Sequence, residues 1–212
     1  MSRGRFIALE GGEGAGKSTQ ARLLAEALRE RGIEVLLTRE PGGTPGAEAI
    51  RALLLDPRGE GWEPPAEALL FAAARADHVA RTIRPALEAG QWVICDRFLD
   101  SSRAYQGGGG GLADEAILEL HRTGSSGLLP DLTVLLEVSP DEAAARLGRR
   151  DGGESDAIGG RDAAYHARVA AAFARFAEAE PDRFARIGGG GSAEQTHARI
   201  VQALAPWLEE AR

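Results

Sequence analysis

Glu10-Gly11-Gly12-Glu13-Gly14-Ala15-Gly16-Lys17-Ser18 stands between an apolar run, Phe6 to Leu9, and a helical pattern of Leu23, Leu24, Ala27 and Leu28. From Gly11 onward it spells G-x-x-x-x-G-K-[ST] in the strand, loop and helix context of a phosphate-binding loop. Glycines let such a loop turn with positive φ and bring successive amide N–H groups close to phosphate oxygens. The positive end of the following helix adds to that field. Gly11, Gly12, Glu13, Gly14, Ala15, Gly16, Lys17, Ser18 and Thr19 are therefore the expected nucleotide-phosphate cradle. Within it Lys17 reaches the β and γ phosphates and the Ser18 hydroxyl ligates Mg2+. Lys17 is the only lysine of the chain. It stands where a compact point charge on a flexible stem is needed rather than a planar guanidinium.

Beyond the loop, strand-like runs recur at Phe6 to Leu9, Val35 to Thr38, Trp92 to Cys95, Leu132 to Val138 and Phe184 to Ile187, with helical stretches between them. They are apolar without strict alternation, as in strands buried on both faces of a parallel sheet. The expected fold class is α/β, a doubly wound sheet in a single domain over residues 1–212. Ser139 with Glu142 and Ser192 with Gln195 read as capping boxes. Pro206 is placed to kink the last helix. Pro41 to Gly46, Gly107 to Gly111 and Arg150 to Arg161 read as loops. The third is a ligand-ordered lid spanning about 149–162.

The formal net charge of −7 at pH 7 argues against a general nucleic-acid or anionic-membrane binder. The single cysteine, Cys95, excludes an internal disulfide and a cysteine zinc site. With no apolar run of spanning length and no signal-peptide pattern, the expectation is a soluble, cytoplasmic protein.

Candidate chemistry gathers at the strand ends. Asp96 follows the run Trp92 to Cys95, where a second acid for the metal is needed, and Arg97 beside it suits a bidentate phosphate contact. An acid at a strand end also serves as a helix cap, and that reading stays open for Asp96 alone. Phe71 and Arg75 are four apart on a helix running from about Ala66 to Ala89, so they share a face. Spacing alone favours a core phenylalanine beside a solvated arginine. Tyr105 and Gln106 carry the same ambiguity.

Taken together, these residues resemble bacterial thymidylate kinase. The likeness runs through Glu10 to Ser18, Thr38-Arg39-Glu40-Pro41-Gly42-Gly43, Leu53-Leu54-Leu55-Asp56, Phe71 to Arg75, Asp96-Arg97-Phe98, Ala104-Tyr105-Gln106-Gly107-Gly108 and Pro130-Asp131-Leu132-Thr133. It implies ATP-dependent phosphorylation of dTMP to dTDP on a five-stranded parallel sheet, with ATP as donor, Mg2+ as cofactor and a homodimer as the usual assembly. It implies that Phe71 stacks on thymine, that Arg75 hydrogen-bonds its carbonyl, and that Ser102 and Gln106 fall near the base. Tyr105 would crowd the 2′ position, Arg97 and Arg39 would hold the acceptor phosphate, and Glu13 would meet the 3′-hydroxyl or its water and metal shell.

The sequence departs from that family in its cations. Some members carry an arginine inside the phosphate loop, where this chain has Gly12, Glu13, Gly14 and Ala15. Many bacterial members read Asp-Arg-Ile-Glu in the lid, where this chain has Asp156-Ala157-Ile158-Gly159. The expected catalytic cation is therefore Arg149 or Arg150, from the cluster with Arg146 at the lid's entry, with Arg161 in reserve. A kinase for another small acceptor is the alternative enzyme. A guanine-nucleotide switch would read its base through Asn-Lys-x-Asp, and the chain contains no asparagine.

Overall fold

A computed structural model describes residues 3–56, 61–151 and 157–210. Five strands, β1 (Phe6–Glu10), β2 (Val35–Arg39), β3 (Trp92–Asp96), β4 (Leu132–Glu137) and β5 (Phe184–Gly188), form one sheet in the order β2-β3-β1-β4-β5. Every pairing is parallel, with Leu9 opposite Asp96 and Ala8 opposite Thr133. The five expected strands are all present.

Successive side chains of β1 point to opposite faces, and both faces are covered. Ile7 and Leu9 meet Ile94, Val134 and Leu136 under helix α1 (Lys17–Arg29), which brings Ala21, Leu24 and Leu28. Phe6 and Ala8 meet Val93, Cys95, Ile83, Leu87, Phe98 and Ile117 on the other face. There the rings of Phe6 and Phe98 stand edge to face, 4.8 Å between centroids. Among the described residues no helix is long and apolar enough to cross a membrane.

Helix α2 (Pro45–Leu55) starts at Thr44, whose hydroxyl accepts from Ala47 N at 3.0 Å. The predicted helix from Ala66 to Ala89 is α3 (Pro64–His78), a π-helical turn at Val79–Ile83 and α4 (Arg84–Glu88). Pro85 explains the interruption. It donates no N–H, and a widened turn in front of it accommodates the lost bond.

The glycine run 107–111 is a correction to the sequence reading. Helix α5 (Leu99–Ser102) continues as a π-helix, Arg103–Gly109, so most of the predicted loop is helical. The glycines serve close packing against α8 (Ala163–Ala179): a Cβ on Gly108 would lie 2.5 Å from Ala172 Cβ, and one on Gly109 2.5 Å from the Tyr165 ring. Helix α6 (Asp114–Ser125) then leads to β4. Helix α7 (Pro140–Asp151) begins at Ser139, where Glu142 closes the expected box, and it carries helix past Arg150 into the predicted lid. Lid residues 152–156 lie outside the described residues. The second box, Ser192 with Gln195, opens α9 (Ala193–Ala203), and the helix is interrupted at Leu204, ahead of Pro206, before α10 (Ala205–Glu210).

Candidate active site

β1 and β3 are neighbours whose onward connections leave in opposite directions, toward β2 and toward β4. In such sheets the crevice outside the carboxyl ends of the two strands is the ligand site. A cleft of about 530 Å³ opens there.

The loop after β1 forms its floor. Gly11 has φ +139°, and a Cβ on it would lie 2.5 Å from the carbonyl oxygen of Leu136, so only glycine fits beside β4. No side chain caps α1 and no acid lies in its first turn, which leaves its N-terminal amides to an anion. Lys17 is 6 % exposed, and its Nζ donates to the carbonyls of Gly11 at 3.1 Å and Gly12 at 2.7 Å. Burial first, then repulsion from Arg97, lowers its pKa to about 8. Ser18 Oγ donates to Asp96 Oδ2, across 78 residues of chain. The other carboxylate oxygen, Asp96 Oδ1, is buried and takes no hydrogen bond among the described residues.

Arg97 stands at the centre. Its backbone adopts φ 68°, a left-handed conformation that costs a non-glycine residue roughly 1–2 kcal/mol. Its N–H donates to Leu9 O at 2.9 Å. Its guanidinium donates to Glu13 at 2.5 Å, Tyr105 Oη at 3.1 Å, Ser101 Oγ at 3.1 Å and Gly11 O at 3.3 Å. Burial opposes its charge, but Tyr105, Glu13, Asp96 and Glu10 more than offset that and hold its pKa above the ordinary arginine value.

Glu10 braces this turn from beneath. It is fully buried and accepts from Phe98 N at 2.8 Å and Ser101 N at 3.0 Å, with Ser101 Oγ 2.5 Å away. Burial, then repulsion from Asp100, raises its pKa from 4.5 to about 7. Between those values the unfolded chain has released this proton while the folded chain retains it, so stability falls as pH rises. We expect Glu10→Gln to abolish this component: the stability of wild type relative to the variant should decline by about 3 kcal/mol from pH 4.5 to 7.5. Parallel denaturant-derived stability profiles for the two proteins would refute it.

The far wall carries the residues expected near a base. Phe71, Ser102, Tyr105 and Gln106 all line the cleft, with Leu55 and Ile158. Tyr105 is 4 % exposed, its hydroxyl 3.2 Å from Glu13 and its ring edge to face with Tyr165 and Phe173. Arg75 is not among the lining residues. It lies buried behind the wall, where Nε meets Glu40 at 2.7 Å and Nη2 meets Ser102 Oγ at 2.8 Å. Glu40 Oε1 also lies 3.1 Å from His78 Nδ1, and the other ring nitrogen, Nε2, is 2.8 Å from Thr38 Oγ1. Arg39 lines the mouth, half exposed, with its Nη2 donating to both oxygens of Glu48 at 3.0 Å.

The side chains of Arg149 and Arg150 lie outside the described residues. Arg161 is described, and it pairs with Glu67 and donates to Tyr165 Oη at 2.6 Å. Two lining cations had no assigned role in the sequence. Arg51 donates to Pro41 O at 2.8 Å. Arg146 spans the cleft's other end, from Ala15 O at 3.4 Å to Gly189 O at 2.7 Å. Only the i, i+3 and i+4 spacing of Arg146, Arg149 and Arg150 hinted at it. Gly189 packs beside the phosphate loop, where a Cβ would lie 2.7 Å from Val138 Cγ1 and 3.5 Å from Ala15 O.

Comparisons with known proteins identify the family. A family model described as thymidylate kinase matches residues 9–200. Thymidylate kinase of Rhizorhabdus wittichii is 60 % identical over 205 residues, covering 97 % of this chain and 99 % of that protein. That of Gluconobacter oxydans is 51 % identical over 95 % of this chain and 94 % of its own. The crystal structure of thymidylate kinase from Ehrlichia chaffeensis superposes with a TM-score of 0.78 at 33 % identity, covering 95 % of this chain and 99 % of that one. With the phosphate loop, the Ser18–Asp96 pair and the Phe71 wall meeting in one cleft, the chain belongs to the thymidylate kinase family.

Proposed function

We propose that the chain binds ATP on the loop after β1 and dTMP against the Phe71 wall, and transfers the γ-phosphoryl group directly to the dTMP phosphate, giving dTDP. One observation carries this reading: Lys17, the Ser18–Asp96 pair and Arg97 converge on the cleft that Phe71, Tyr105 and Gln106 also line. One domain serves both substrates. The acceptor is already an anionic phosphate and needs no general base, so catalysis rests on alignment and charge stabilisation.

Lys17 moves from the loop carbonyls onto the β and γ phosphates, and the loop amides from Gly11 to Thr19 hold the remainder. Arg146 covers the nucleoside end of ATP. Arg97, with Arg39 at the mouth, holds the acceptor phosphate, and Glu13 orients Arg97 while meeting the sugar's 3′ side. Phe71 stacks on the base, and Arg75 fixes Ser102 and Glu40 behind it. Tyr105, pinned by Arg97 and Glu13, occupies the space a 2′-hydroxyl would need.

The donor set suits Mg2+. Ser18 and Asp96 offer hard oxygens, and Asp96 Oδ1 is buried without a partner. Among the described residues no group of three His, Cys, Asp or Glu could hold a metal on protein ligands alone. That is expected of Mg2+, which keeps waters and substrate phosphates in its shell. When bound, the ion neutralises charge on the transferring phosphates. Arg149 or Arg150 supplies the further cation from the lid. A homodimer is the proposed assembly, supported by the exposed apolar side chains Leu53, Trp62 and Leu69 along α2, α3 and the segment between them.

The test is ADP release from Mg-ATP with dTMP, dUMP, ribose-TMP, dCMP, dAMP or no acceptor. We expect dTMP to dominate, dUMP to follow within the 10- to 200-fold worth of one methyl contact, and the ribose form to be poor. Replacing both Arg149 and Arg150 by alanine should lower kcat at least about a hundredfold with dTMP affinity little changed. Acceptor-independent hydrolysis would sink the kinase reading, and equal rates with dTMP and its ribose form would sink the Tyr105 gate.

A further inference from the structure

Gln106 lines the cleft but is 1 % exposed, and its amide is held from behind. Nε2 donates to Glu67 Oε1 at 2.7 Å. Glu67, in the first turn of α3, is 3 % exposed and does not line the cleft. Its other oxygen, Oε2, accepts from Arg161, which is itself anchored to Tyr165 Oη at 2.6 Å with its guanidinium 4.7 Å over the Tyr165 ring. The pair joins residues 94 apart in sequence.

A carboxylate paired with a guanidinium only accepts hydrogen bonds, so the amide face turned to Glu67 must be the NH2. Rotating the amide would set Oε1 against Glu67 Oε1, two acceptors in contact at a buried site, which is unfavourable. Gln106 Oε1 takes no hydrogen bond among the described residues. The amide is thus held in one orientation rather than flipping freely, and its remaining polar atom is an acceptor.

We infer that Glu67 is a specificity-determining positioning residue: backed by Arg161, it locks Gln106 with its carbonyl oxygen toward the acceptor base, so the site selects a pyrimidine ring that presents an N–H. Thymine and uracil carry a hydrogen on N3. Cytosine has a lone pair there and meets the locked oxygen as a like partner. The same lock ties this reading to the end of the lid segment, because Arg161 directly follows residues 157–160. The inference rests on the proposed dTMP site.

The test compares kcat/KM for dTMP and dCMP in wild type, Glu67→Gln and the charge-neutral double variant Glu67→Gln/Arg161→Gln, which strands no charge if the single variant folds poorly. A neutral amide at 67 both donates and accepts, so Gln106 can turn over. The dTMP:dCMP ratio should fall about tenfold, the worth of one neutral hydrogen bond, chiefly through KM. A purely structural role would lower both acceptors together and leave the ratio where it was. An unchanged ratio, in enzymes that still prefer dTMP, overturns the role of Glu67 alone. Failure of wild type to use dTMP overturns the acceptor site and this inference with it.

Discussion

Lys17→Ala should lower kcat by at least 10²- to 10³-fold while the protein keeps its fold and its affinity for dTMP, because the mechanism we propose places this cation on the transferring phosphate. Lys17→Arg should not restore it. The side chain is 6 % exposed between the loop carbonyls of Gly11 and Gly12, where Nζ fits and a planar five-donor fork does not. The same burial predicts a pH profile. With its pKa lowered to about 8, Lys17 loses its charge within the accessible range, so kcat/KM for ATP should fall as pH rises through about 8. Because the chain has one lysine, 13C-lysine labelling gives a single side-chain NMR signal whose titration reads that pKa directly. A midpoint near the ordinary 10.4 of lysine, or full activity in Lys17→Arg, would contradict this account.

The second large effect is on stability, and it lies away from the cleft. Asp100 is 1 % exposed and takes Arg183 at 2.6 and 2.9 Å, Arg103 at 3.0 Å and Thr133 Oγ1 at 3.2 Å. Burial opposes its ionisation, yet Arg183 and Arg103 overcome that and hold its pKa below the usual value. The cluster joins α5, β4 and the turn between α8 and β5. Asp100→Ala leaves two largely buried guanidiniums short of a counter-charge, which typically costs 3–5 kcal/mol. Arg103 keeps Asp114 and Glu180, and Arg183 keeps Glu180, so we expect the lower end, about 3 kcal/mol. For a chain of this size that is a fall in Tm of roughly 6–12 °C. A fall of less than about 2 °C would show the cluster to be energetically idle.

Several features of site and fold were legible because they depend on neighbours in sequence. The phosphate loop needs its glycines, Lys17 and Ser18 at one spacing, and the five strands follow from apolar runs bounded by helical ones. Both capping boxes form as written. The glycine run 107–111 misled for an equally physical reason. Glycine marks either a flexible turn or a place where two backbones approach, and only the position of α8 shows that Gly108 and Gly109 belong to the second kind. Spacing alone likewise read Arg75 as solvated, where the structure buries it. Helical spacing says which residues share a face, not what that face meets.

The α/β class, the phosphate loop and the family could be read from the chain alone, since those rest on local pattern and on motifs in order along it. Which charges meet is set by packing. Ser18 finds Asp96, Glu13 finds Arg97 and Glu67 finds Arg161 across 78, 84 and 94 residues. Those pairings depend on strand order and helix placement, which no local propensity encodes. Charges of either sign are common enough along the chain that many other pairings were open until packing brought these within hydrogen-bond reach.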